Sequence, residues 1–76
     1  MRFYATPAQR GLIFDLIRRA ELDPQTVTLL HKPAIEKAGM SFVGWNGEPV
    51  ARFVGMLTGN QASKYIDALK AQVGDE

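Results

Sequence analysis

The chain has 76 residues, no cysteine and a formal net charge of +1 at pH 7. This length is typical of one domain, 1–76, and the lack of thiols excludes disulfide bonds and cysteine-bound metal ions. No apolar run approaches the roughly 20 residues that span a bilayer, and the N-terminus lacks the apolar stretch of a signal peptide. We therefore expect a cytoplasmic protein with no membrane partner.

The first predicted element is a helix over residues 7–20. Thr6 suits the N-cap and Gln9 follows three residues later, which is the pattern of a capping box, where both side chains satisfy free N–H groups. Pro7 suits the first helical position because a helix leaves that N–H unbonded. The apolar residues then fall on one helical face: Leu12, Ile13, Leu16, Ile17 and Ala20.

The next stretch predicts two short helices with a break between them. Asp23 followed by Pro24 is typical of a helix start, so we expect a helix near residues 24–31. Pro33 removes a helical hydrogen bond, which favours a break before one or two turns over 33–38. Gly39 suits the end of the second helix. The apolar residues of this stretch have roughly helical spacing: Val27, Leu30, Ala34, Ile35 and Ala38.

Residues 41–57 permit two structures. Asn46-Gly47 lies between two apolar runs, which is a strong signal for a β-hairpin. Against it, Pro49 suits a first helical residue, and it would lose a ladder hydrogen bond in a strand. We favour a helix over 49–57, because four apolar residues share its face, and keep the hairpin as the alternative: Val50, Phe53, Val54 and Leu57.

Thr58 and Gln61 repeat the capping box, and Gly74 suits the end of the last helix. Its buried stripe is predicted as Ala62, Tyr65, Ile66, Leu69 and Val73. The repeated Thr-x-x-Gln has two explanations. Well-capped helices look alike, or the first and last helices pair around a pseudo-symmetric core. In either case the expected fold is mainly α, a compact bundle of about four short helices.

The two end motifs resemble a small helical module found at the ends of phage and bacterial DNA-processing proteins and as free-standing small phage proteins. That family pairs a Thr-x-x-Gln front helix with a Leu-Thr-x-x-x-Ala-Ser-x-x-Ile-Asp-x-Leu back helix. The back motif corresponds here to Leu57, Thr58, Ala62, Ser63, Ile66, Asp67 and Leu69. The segment 26–53 departs from the family pattern. The resemblance implies a helical accessory module near DNA metabolism and carries over no catalytic residue.

No residue pattern points to catalysis, a metal or a cofactor. His31 is the single histidine, and neither serine lies in a nucleophile motif. One histidine without cysteine does not make a zinc site, so we expect a partly exposed histidine at a helix end. The carboxylates show no spacing typical of a shared acid and base. We therefore expect no enzyme.

Five residues are candidates for binding a protein or a phosphate: Trp45, Phe14, Arg10, Arg18 and Arg52. Trp45, the only tryptophan, lies in a glycine-flanked segment and is either a plug for the core or an exposed anchor. Phe14 lies at the margin of its helical face between Arg10 and Arg18, and is either core or a docking site.

The bases lie mainly on the outward faces of three predicted helices, where they either confer solubility or contact phosphates or an acidic partner: Arg10, Arg18, Arg19, Arg52, Lys64 and Lys70. Without Asp75 and Glu76, which we place on a frayed tail, nine Lys and Arg oppose six Asp and Glu, a balance of +3. Dedicated nucleic-acid binders are far more basic.

The sequence thus favours a small non-enzymatic binding module of phage type, an inhibitor or adaptor. We expect it to dock on a protein of DNA metabolism or host defence. The alternative is an accessory domain that binds nucleic acid weakly and in a salt-sensitive way. Oligomeric state stays open.

Overall fold

A computed structural model describes residues 4–74, and the predicted tail residues Asp75 and Glu76 lie outside this range. The elements are α1 (Pro7–Arg19), a 3₁₀ turn (Leu29–His31), α2 (Lys32–Lys37), α3 (Val50–Gly55) and α4 (Gly59–Val73). The mainly α fold is confirmed. Within the described range, β pairing is limited to isolated bridges.

Both capping boxes form as predicted. Gln9 N–H donates to Thr6 Oγ1 at 3.1 Å, and Thr6 N–H donates to Gln9 Oε1 at 3.0 Å. The same reciprocal bonds join Thr58 and Gln61 at 3.2 and 3.0 Å. Gly74 ends α4 with φ of +74°, a left-handed conformation that glycine adopts at little cost.

α1 and α4 begin side by side and make the most extensive helix–helix contact in the described chain. Ala5 N–H donates to the carbonyl of Leu57 at 2.9 Å, and Gln9 Nε2 donates to the carbonyl of Gly59 at 3.3 Å. The first and last helices therefore do pair, while a pseudo-symmetric core stays a prediction. Their facing stripes form the centre of one hydrophobic cluster: Ile13, Leu16, Ile17, Ala62, Tyr65, Ile66 and Leu69.

The predicted helix over 24–31 is wrong. The carboxylate of Asp23 accepts hydrogen bonds from the N–H groups of Gln25 at 2.8 Å and Thr26 at 3.1 Å, which turns the chain instead of starting a helix. The chain then runs extended until the 3₁₀ turn. Thr26, Val27 and Thr28 are all β-branched, and such residues favour extended backbone.

The extended segment 25–28 pairs with residues 47–50. Val27 N–H donates to Glu48 O, and Gly47 N–H donates to Val27 O, both at 2.8 Å. Val50 N–H donates to Gln25 O at 2.8 Å, and Thr26 bridges Pro49. Backbone hydrogen bonds thus join the segment 25–28 to residues 47–50.

α2 confirms the predicted turns over 33–38, but no break precedes it. The 3₁₀ turn leads directly into α2, and Pro33 lies in the first turn, where its missing N–H removes no helical bond. Gly39 has φ of +82° and its N–H donates to Glu36 O at 2.9 Å, while Met40 N–H donates to Ile35 O at 3.1 Å. These two bonds form a Schellman motif, as expected for a glycine after the C-cap.

Of the two structures that residues 41–57 permit, the helix is present and the hairpin is not. α3 spans Val50–Gly55, with Pro49 as its N-cap instead of its first residue. Asn46-Gly47 does lie in a turn, but the extended segment that pairs beside it is 25–27 and not 41–45. Val50, Phe53, Val54 and Leu57 are all buried, as the helical spacing predicts.

We expect the capping boxes to contribute measurably to stability. Thr58→Ala should lower the free energy of unfolding by about 1 kcal/mol, because it leaves an N–H at the start of α4 without its partner. Urea denaturation followed by circular dichroism measures this. The matched control is Ser63→Ala, an exposed position inside α4 where alanine should be neutral or slightly stabilising. Equal stability of wild type and Thr58→Ala would contradict the capping role.

Candidate functional site

A groove with both polar and apolar lining opens beside Trp45. Three parts of the fold line it: the loop 39–45, α3 with the residues after it, and the first turn of α4. Its volume is about 410 Å³. Ser41 and Gln61 supply polar groups. We call this site the Trp45 groove, and its large apolar lining residues are Met40, Val43, Trp45, Phe53, Met56 and Leu57.

Trp45 is half-buried and rests on the core through aromatic contacts. Its ring meets that of Phe53 edge to face, with centroids 5.0 Å apart, and Phe53 meets Tyr65 in the same way at 5.6 Å. Phe53 and Tyr65 are buried, and burial raises the pKa of the Tyr65 hydroxyl, which therefore stays neutral. Trp45 is thus held from behind by the core while part of its ring lines the groove.

The rim of the groove exposes large apolar side chains. Val43 is 86% exposed and Met56 is 56% exposed, next to the half-buried Trp45. Scattered exposed apolar residues are ordinary on a protein surface, but apolar residues that cluster around a concave site are typical of a binding surface. Methionine suits such a site because its flexible thioether adapts to different partners.

The loop that carries Val43 and Trp45 is held in place by its own hydrogen bonds. Val43 N–H donates to Ser41 Oγ at 3.2 Å, Trp45 N–H donates to Phe42 O at 3.0 Å, and Glu48 N–H donates to Trp45 O at 2.9 Å. Gly44 has φ of +90°, a conformation that L side chains rarely adopt. Binding residues on a loop that a rigid scaffold positions are a common arrangement.

The other predicted binding residues lie outside the lining of the groove. Phe14 is half-buried against the core, with Arg10 half-buried and Arg18 exposed one turn to either side on α1. Arg52 is exposed on α3, and its guanidinium lies 3.5 Å from the carboxylate of Glu48. Only Trp45 among the five predicted residues lines the groove.

The structure corrects the prediction for His31, which is not partly exposed but buried, with 1% of its surface accessible. Its Nδ1 lies 2.9 Å from the backbone nitrogen and 3.0 Å from Oγ1 of Thr28. Its Nε2 lies 2.9 Å from the carbonyl oxygen of Asp23. The reason is the extended segment 24–28, which folds back around the ring instead of leaving it at the end of a helix.

These contacts define the protonation state of His31. The backbone N–H of Thr28 can only donate, so Nδ1 accepts and carries no proton. The carbonyl of Asp23 can only accept, so Nε2 carries the proton. Burial lowers the pKa of His31 below its ordinary 6.5 and outweighs the opposing hydrogen bonds. The ring is therefore the neutral Nε2–H tautomer.

Sequence reasoning missed the exposed apolar residues Val43, Met56, Leu29 and Leu30. Leu30 falls among the apolar residues with roughly helical spacing, but it is 64% exposed on the 3₁₀ turn, and Leu29 is 68% exposed. The exposure of Met56 could have been predicted from its position in the sequence. Met56 is a large apolar residue that falls off the stripe of its own helix, and such residues are either exposed or bound by something else.

Comparisons with protein families, with curated proteins and with solved structures found no match to this chain. Within residues 4–74, no helix is both long and apolar enough to cross a membrane. The same residues contain no cluster of three or more His, Asp or Glu side chains that could hold a metal ion.

The half-burial of Trp45 predicts an intermediate cost for its removal. Trp45→Ala should lower the free energy of unfolding by about 1–2 kcal/mol, below the roughly 3–5 kcal/mol typical of a fully buried tryptophan. Urea denaturation with circular dichroism detection measures the change. Phe53→Ala is the matched comparison and should cost more, because that ring is 3% exposed and contacts both other aromatic rings. A protein that unfolds on Trp45→Ala would show that Trp45 is a core residue.

Proposed function

We propose that this protein is a non-enzymatic binding module that docks on another protein through the Trp45 groove. The observation that carries the proposal is the exposure of Val43 and Met56 around a half-buried tryptophan. Tryptophan is the residue most enriched at interface hot spots, and aromatic residues and methionine are enriched at interfaces generally. A partner that inserts a bulky apolar side chain into the groove would remove this surface from water.

The resemblance of the two end helices to a module of DNA-processing proteins favours a partner from DNA metabolism or host defence. In that arrangement α1 and α4 are scaffold, since their capping boxes and their packing account for the repeated motif. The segment 26–53, which departs from the family pattern, carries the loop with Val43 and Trp45. In this proposal the binding specificity comes from the loop in that segment together with Met56, Leu57 and Gln61, which line the groove outside it.

Two observations favour a protein partner over nucleic acid. Two of the six outward bases are close to carboxylates, because Arg19 lies 3.3 Å from Asp15 and Arg52 lies 3.5 Å from Glu48. The described lining of the groove also includes no lysine or arginine. Both features reduce the positive surface that would track a phosphate backbone.

The test uses variants at exposed positions, so that the fold is preserved. Val43→Asp and Met56→Glu each place a charge on the groove rim, and each should weaken capture of the partner by about tenfold or more, roughly 1.4 kcal/mol. The tagged protein is first used for affinity capture from a lysate of its source, and mass spectrometry identifies the partner. Affinities of the variants for the purified partner are then measured by calorimetry, and circular dichroism checks each fold.

The matched control is Leu30→Ser, which removes a similarly exposed apolar side chain outside the groove and should bind like wild type. Full affinity in both groove variants would overturn the proposal, and so would loss of binding in Leu30→Ser alone. Weak binding of nucleic acid that is lost between about 0.15 and 0.5 M salt, with no protein partner captured, would instead support the nucleic-acid alternative.

A further inference from the structure

The His31 ring forms a hydrogen bond with each end of the segment 23–28. Its Nε2–H donates to the carbonyl of Asp23, at the start of this segment. Its Nδ1 accepts from the backbone N–H of Thr28, at the end. Residues eight and three positions before the histidine are thus tied to one buried side chain.

The same segment is the backbone partner of the chain that leads into the groove. Val27 exchanges hydrogen bonds with Gly47 and Glu48, and Val50 donates to Gln25. Glu48 N–H in turn donates to the carbonyl of Trp45. A continuous set of hydrogen bonds therefore runs from the His31 ring through 23–28 and 47–50 to Trp45.

A proton on Nδ1 is incompatible with this arrangement. Protonated Nδ1 would place a donor against the N–H of Thr28, so that hydrogen bond would be lost. It would also place a positive charge on a side chain that is 1% exposed. Protonation thus removes the hydrogen bond that ties the end of the segment to the ring, although the Thr28 hydroxyl at 3.0 Å can accept from Nδ1–H, and the buried charge favours states in which the 3₁₀ turn and the segment 23–28 open.

One charged group opposes this effect. The carboxylate of Asp23 attracts the protonated ring, although it is exposed and already accepts two backbone hydrogen bonds. The charged side chains of α2, which directly follows His31 in the chain, are all exposed. Two charged side chains of α4, which packs against α2, are exposed as well. These five residues are Lys32, Glu36, Lys37, Lys64 and Asp67. Lys70 of α4 is half-buried. Burial outweighs the attraction of Asp23.

We propose that His31 is a proton-sensitive latch that holds the Trp45 groove in its binding shape at neutral pH and releases it under acidic conditions, when the buried ring gains a proton. The inference rests on the proposed function for its role in binding. The latch itself can be measured without a partner.

The sign of the pH dependence follows from proton linkage. His31 has a lower pKa in the folded protein than the 6.5 of an unfolded chain. Its contribution to stability is complete above pH 6.5, where both states are neutral. It is lost as the pH falls from 6.5 toward the folded pKa, because the open state then binds a proton that the closed state excludes.

The test is a pH titration of the wild-type protein by NMR. Nitrogen-15 shifts of the His31 ring should show the Nε2–H tautomer at about pH 7.5. Hydrogen exchange, corrected for intrinsic rates, should show protection of the Val27, Thr28 and Gly47 amides falling by up to tenfold per pH unit below 6.5. Amides in the middle of α4, such as that of Leu69, should keep theirs. Fluorescence of the single tryptophan, Trp45, should change over the same pH range.

An Nδ1–H tautomer would overturn the proposal. So would unchanged protection of the latch amides, or an equal loss of protection in α4, which would mean global acid unfolding. His31→Gln should remove the response above pH 5, since its amide offers one acceptor and one donor without titrating near this pH. A response that persists in a folded His31→Gln would also overturn the proposal. If this variant does not fold, the wild-type titration decides.

These measurements separate the latch from the proposed function. Loss of partner binding at low pH with unchanged exchange at Val27 and Gly47 would overturn the latch and leave the docking proposal in place. A groove that opens with pH but whose rim variants bind the partner normally would support the latch and overturn the docking site.

Discussion

The middle of this protein depends on the backbone pairing between residues 25–27 and 47–50. Val27 exchanges hydrogen bonds with Gly47 and Glu48, and this pairing replaces the two local structures that the sequence suggests on either side. Because 25–28 is extended, it cannot continue as a helix toward α2. Because 47–50 pairs with it, the Asn46-Gly47 turn does not close a hairpin. The loop 39–45, which comes just before the paired residues 47–50, therefore carries Val43 and Trp45 at the surface.

Two kinds of interaction, ring contacts and hydrogen bonds, hold the groove in position. From behind, the rings of Trp45, Phe53 and Tyr65 form an edge-to-face series that leads into the core. From the side, the hydrogen bonds around His31 hold the segment on which the 47–50 pairing depends. The first is apolar and insensitive to pH, while the second requires a neutral imidazole. If the groove is the docking site that we propose, this support makes it rigid at neutral pH and responsive to acid.

Much of the fold could be predicted from local signals. The capping boxes at Thr6 and Thr58 specify where α1 and α4 begin, since the required side chains are three residues apart and need no distant partner. The stripe of Val50, Phe53 and Leu57 correctly favoured a helix over a hairpin. The candidate site was predicted only in part. Trp45 was selected because it is a lone tryptophan between glycines, whereas Val43 and Met56 were not selected.

Local sequence patterns suffice for the two end helices, their caps and most of their buried faces, because those features depend on residues within one or two turns of each other. Not every residue of the predicted faces is buried, since Leu12 is exposed and Val73 is only half-buried. The conformation of 23–28, the burial and tautomer of His31, and the groove follow instead from contacts between separate elements of the fold. The pairing of Val27 with Gly47 joins residues 20 positions apart, and the Trp45–Phe53 and His31–Asp23 contacts each join residues eight positions apart, so none of them lies within one helical stripe or cap. The helix signal at Asp23 and the hairpin signal at Asn46 are both overridden, because the segments 25–27 and 47–50 form backbone hydrogen bonds with each other that neither local pattern contains.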